Sequence, residues 1–135
     1  MKFKVDVNIK KGGLIMTLRE RLETLLDGIK NIESVEESAI ASRDGLIICS
    51  KCKKEYSAEI VIAMLAVLHK SAGTALAGIG KEIPDRVIVE SNKGRIITAG
   101  AGEKALLIVI IKPNVSLLSV LNEMEKTSEK IKEIL

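Results

Sequence analysis

At 135 residues, with 47% hydrophobic and 29% charged side chains, the chain has the length of one globular domain and the composition of a folded one. Phe3 and Tyr56 are the only aromatics, and the 21 basic and 18 acidic residues are well mixed. That excludes a stacking platform for bases and a strong field for polyanions, and predicts no nucleic-acid partner.

The opening residues carry no apolar stretch of the secretory kind, and two cysteines are too few for a disulfide scaffold, so a cytoplasmic location is expected. Ile60 to Leu68 is the longest dense apolar run and stops at His69-Lys70. It is shorter than the roughly 18 residues that cross a bilayer, which predicts no membrane-inserted helix. Abundant Ile, Lys and Glu with one His and no Gln follow the composition drift of heat-loving organisms.

Lys2 to Ile9 alternate strictly, Phe3, Val5, Val7 and Ile9 against Lys2, Lys4, Asp6 and Asn8, which predicts a half-buried strand. Gly12-Gly13 then permits a turn or hinge. Thr17 and Glu20 have capping-box spacing, so a helix starts there, with Leu18, Leu22, Leu25, Leu26, Ile29 and Ile32 on its buried stripe. Two short apolar segments, Glu37 to Ser42 and Leu46 to Lys51, flank Arg43-Asp44-Gly45 and predict a hairpin. Ser57 is placed to cap a second helix running to about Gly80. Arg86 to Glu90, Arg95 to Ala99 and Ala105 to Lys112 form a meander. The last of these strands has no polar face, so helices must cover it on both sides. Pro113-Asn114 ends it, and a final amphipathic helix carries Leu117, Leu118, Leu121, Met124, Ile131 and Leu135.

Lys70 is the only charged residue between Ile60 and Gly80. A helix that is apolar all round must be buried on both faces, and a domain this small has one layer to offer it. The simplest cover for the second face is another copy, so a twofold homodimer is expected.

Little else in the chain suggests chemistry. Cys49-Ser50-Lys51-Cys52 supplies two thiolates where a structural zinc site needs four ligands, so no metal is assigned. His69 has no His, Cys or clustered carboxylate near it in sequence and is expected to be an interface or core residue. Gly78-Ile79-Gly80-Lys81-Glu82 departs from a phosphate loop at Ala75 and Glu82 and closes a helix instead of opening one. The Gly100-Ala101-Gly102 pattern leads into a strand, where no helix N-terminus waits for a pyrophosphate. They are expected to be a helix C-cap and a hairpin turn. Glu36-Glu37, Lys53-Lys54-Glu55 and the charged face of the last helix are expected to be solvated surface. No catalytic residue and no cofactor is assigned.

From Met16 onward the order of elements resembles the Roadblock/dynein-light-chain domain family. The Ser42-Arg43-Asp44-Gly45 turn, the Ala-rich helix, Arg86-Val87-Ile88-Val89-Glu90, Gly94-Arg95-Ile96-Ile97 and the Ala105 to Ile111 strand carry the likeness. The resemblance implies an α/β (α+β) fold, a five-stranded antiparallel sheet sandwiched between helices in the order αββαβββα. Residues 1–15 form an N-terminal strand extension and 16–135 the Roadblock-like domain. It also implies homodimers whose third strands, here Arg86 to Glu90, pair edge to edge while the long helices lie together. The partner it implies is a small Ras-like GTPase, bound by a protein that supplies no nucleophile. On that basis Met64, Leu65, Leu68, His69, Ala72, Val87, Ile88 and Val89 are the expected dimer and partner contacts. The alternatives are a scaffold for another complex and a small-ligand or thiol redox sensor.

Overall fold

The computed structural model describes residues 8–11, 14–52, 56–82 and 86–135. The elements are β1 (Asn8–Lys11), β2 (Leu14–Thr17), α1 (Leu18–Lys30), β3 (Val35–Ser42), β4 (Ile47–Lys51), α2 (Ala58–Gly78), β5 (Arg86–Ser91), β6 (Gly94–Ala101), β7 (Ala105–Ile111) and α3 (Leu117–Ile134). The last five strands form one antiparallel sheet in the order β4-β3-β7-β6-β5. This is the expected αββαβββα fold.

Central position explains why β7 is apolar on both sides. Leu107, Val109 and Ile111 join a core with Leu22, Leu26 and Ile29 of α1 and Val120, Met124 and Ile131 of α3. Leu106 and Ile108 point the other way and join Ile62, Leu65 and Ala66 of α2. Two helices thus cover one face of the sheet and one helix covers the other.

Local chemistry fixes the ends of several elements. Thr17 Oγ1 accepts the Glu20 backbone N–H at 3.1 Å at the start of α1. The β3–β4 turn closes through Gly45 at φ 89°, a backbone region that side chains disfavour. Ser57 occupies the N-cap of α2, but its side chain makes no capping hydrogen bond. The helix ends at Gly78, two residues short of the expected Gly80, which stands at φ 76° while the Lys81 N–H reaches back to the Leu76 carbonyl at 2.8 Å. Gly102, at φ 75°, turns β6 into β7.

Four expectations need correction or restriction. Except for Asn8 and Ile9, the strand Lys2 to Ile9 lies outside the described residues, as does the Gly12-Gly13 turn. The strand β1 runs on to Lys11 and pairs antiparallel with β2 in a separate two-stranded sheet. Glu37 is buried, not solvated: the register slips between Val35 and Glu37, and the carboxylate accepts the Tyr56 hydroxyl at 2.6 Å. Lys53-Lys54-Glu55 lie outside the described residues. Finally, α2 is long and apolar enough to cross a membrane by length and composition, with 21 residues of which an 18-residue stretch has a mean hydropathy of 1.7. Counting the run only as far as His69-Lys70 missed the small and apolar residues that continue it.

Candidate functional site

The structure gives α2 two unlike faces. Ile62, Leu65, Ala66 and His69 form its inner stripe. They pack over Ala39 and Ala41 of β3 and Leu106 and Ile108 of β7, where short alanines let the helix lie close. At its N-terminal end the Tyr56–Glu37 bond ties the helix approach to β3, and further along His69 Nδ1 meets Thr98 Oγ1 of β6 at 2.7 Å. The helix therefore crosses the sheet from β3 towards β5. Leaving the sheet for a bilayer would uncover Ala39, Ala41, Leu106 and Ile108 to water and break the His69–Thr98 bond.

The outer face stays uncovered. Ile60, Met64 and Val67 are 62%, 67% and 65% exposed, recurring at the three- and four-residue spacing of one helix side. Leu68 extends the strip and Ile79 lies just beyond the helix end, also exposed. Isolated exposed apolar residues are ordinary, whereas these form a contiguous apolar strip along the N-terminal half of α2.

Of the eight expected contact residues, Met64 and Leu68 lie on this outward strip and Ala72 is half-buried. Leu65 and His69 do not belong to it. They are 7% and 5% exposed on the sheet side, so a protein surface docked on the outward strip does not reach them in this protomer. The expectation named them because the helix is apolar in every direction. Ile60 and Val67 were missed, although their spacing from Met64 was a signal for them.

The three β5 residues divide between the faces. Val87 and Val89 pair with Thr98 and Ile96, which lie on the α2 side. Ile88 pairs with Ile97, a core residue under α1 and α3, and so points to the opposite side. β5 is an edge strand, and no other strand among the described residues pairs with its outer edge. The β1–β2 hairpin forms its own sheet, so none of its described residues blocks that edge.

The two cysteines also part company. Cys49 lies in the core under α1, where burial in the first place and Glu23 in the second push its thiol up to about 12. Cys52 packs on the α2 side with its sulfur 3.7 Å from the Ser38 carbonyl, and burial raises its pKa too. The sheet thus stands between two thiols that sequence spacing would pair. No group of three His, Cys, Asp or Glu side chains able to hold a metal ion occurs among the described residues.

A family model of the Roadblock/LC7 domain matches residues 21–111. The chain belongs to the Roadblock/LC7 domain family. This Roadblock/LC7 domain is similar to two uncharacterized proteins of Methanocaldococcus jannaschii, 28% and 27% identical, each over 82% of this chain and 96% of its own length. Among solved structures it is similar to Myxococcus xanthus MglB, with a TM-score of 0.79 at 17% identity, covering 84% of this chain and 94% of that one. The gliding protein MglB of Thermus thermophilus gives 0.77 at 17%, covering 86% and 89%. A Roadblock/LC7 domain from Streptomyces avermitilis gives 0.74 at 19%, covering 82% and 93%. At these identities the structures support the fold alone.

Proposed function

We propose that this Roadblock/LC7 domain is a non-catalytic, cytoplasmic homodimer that binds a small Ras-like GTPase and regulates or scaffolds it. The observation that carries the reading is the outward strip of Ile60, Met64 and Val67 on α2. Two such strips packed about a twofold axis remove both from water, and the unpaired edge of β5 extends the same assembly through backbone hydrogen bonds. An MglB structure of similar fold has a tetrameric arrangement, which supports self-association on this scaffold. Family membership supports the GTPase partner. A module of this kind acts by placing the GTPase's own catalytic groups and supplies no nucleophile.

Sedimentation velocity across micromolar concentrations tests the first half: a dimer is expected, and a monomer throughout would remove it. Pull-down of a Ras-like GTPase loaded with GDP or with a non-hydrolysable GTP analogue tests the second. Binding in at least one state is expected, and binding in neither would remove the GTPase and leave a scaffold of another complex.

A further inference from the structure

Between the C-terminal half of α2 and the end of the sheet lies a cavity of about 400 Å³, a volume within the range of pockets for small organic ligands. Its cause is in the sequence. Where α2 turns towards the sheet it carries Ala66, Gly73 and Ala77, and these together with Leu106 leave a largely apolar space.

Two polar side chains line that space, and each holds a buried nitrogen that has no hydrogen-bond partner among the described residues. Arg43 leaves the β3–β4 turn, passes over Gly100 and donates from Nη2 to the Gly102 carbonyl at 2.5 Å, while its Nε is buried without a partner. His69 is 5% exposed, and its Nε2 is buried without a partner. The hydrogen-bond economy assigns its tautomer. Thr98 is fully buried and makes its one side-chain hydrogen bond with His69 Nδ1, so its hydroxyl proton is satisfied only if Nδ1 accepts it. The proton of the neutral imidazole then sits on Nε2. Burial and, second, the Arg43 charge both favour that neutral ring. Both unpartnered atoms are therefore N–H donors, one of them cationic. Leaving such donors buried and unmet is costly, so the wall calls for an acceptor. With Lys70 and Asp44 also at the cavity, its charged side chains leave one net positive charge.

We propose that this cavity is a binding site for a small organic carboxylate with a short aliphatic body, its head taken by Arg43 and His69 and its tail lying against Ala66, Gly73, Ala77 and Leu106. The inference goes beyond the dimer and does not depend on it.

The test is a titration of the full-length, ¹⁵N-labelled chain with sodium hexanoate, with 1-hexanol and inorganic phosphate in parallel. Hexanoate is expected to shift the Arg43 Nε–H and His69 ring signals saturably. Arg43→Met is expected to weaken binding about tenfold or more, the scale of one charge-assisted hydrogen bond. Because Arg43 also ties two turns together, Ala77→Leu serves as the second variant: it fills the space, leaves Arg43 in place, and is expected to abolish the shifts. The proposal is overturned by no saturable shift, by equal binding of hexanol, by phosphate acting as strongly as hexanoate, or by undiminished binding to Ala77→Leu. Sedimentation of the same samples reads self-association separately.

Discussion

Gly45 in the β3–β4 turn is pressed against Ala63 of α2: a Cβ built on Gly45 would stand 2.9 Å from the Ala63 Cα. The hairpin turn is thus the seat on which the long helix rests, and glycine is required there twice over, for its φ of 89° and for the close approach. Gly45→Ala is expected to destabilise the fold by about 2–3 kcal/mol, from backbone strain and displaced packing together. Urea denaturation measures it, and a loss under about 0.5 kcal/mol would show that the turn does not support the helix.

The cysteines should behave as separate residues. Cys49 is buried with its pKa near 12, whereas Cys52 is half-buried beside the α2 approach. In native protein at pH 8 an aromatic disulfide reagent should label Cys52 first, with Cys49 slower by at least about tenfold until denaturant is added. Equal rates would mean that the core under α1 opens readily.

Burial, with Arg43 second, holds His69 below its ordinary value of 6.5, so the folded ring resists protonation more than the unfolded one. The stability this protects is fully present above pH 6.5 and declines as the pH falls towards the lowered folded value. Denaturant midpoints measured between pH 7.5 and about 5, above most carboxylate titration, should therefore fall with pH in the wild type. The slope should be flatter in His69→Gln. Parallel slopes would assign the decline to other groups.

The outward strip predicts a separation of assembly from folding. Met64→Lys with Val67→Lys changes two side chains about two-thirds exposed, so the thermal midpoint of the isolated protomer should move little. The same pair should turn a dimer into a monomer in light scattering, because two buried lysines per copy cannot be desolvated against each other. A variant that stays dimeric would place the interface elsewhere.

Much of the fold was legible because short-range rules decided it. Thr17 caps α1 with the hydroxyl that its spacing to Glu20 announced, Asp44-Gly45 turns the hairpin, and a β7 without a polar face lies at the centre of the sheet, covered on both sides. The split of Val87 and Val89 from Ile88 was also readable, since strand side chains alternate, though the three were expected to act together.

Sequence by itself determined that α2 would be a long helix with too much apolar surface for one packing partner. It could not say how the helix is turned about its axis, because a cylinder that is apolar all round carries no pattern to orient it. Contacts with Ala39, Ala41 and Thr98, distant in the chain, decided that Leu65 and His69 face inward and that Ile60, Met64 and Val67 face out. Glu37 was decided in the same way, by a slip in strand register that moved a carboxylate under Tyr56. Local propensity acts over a turn of helix or a pair of strands, whereas rotation and register are settled only when surfaces meet.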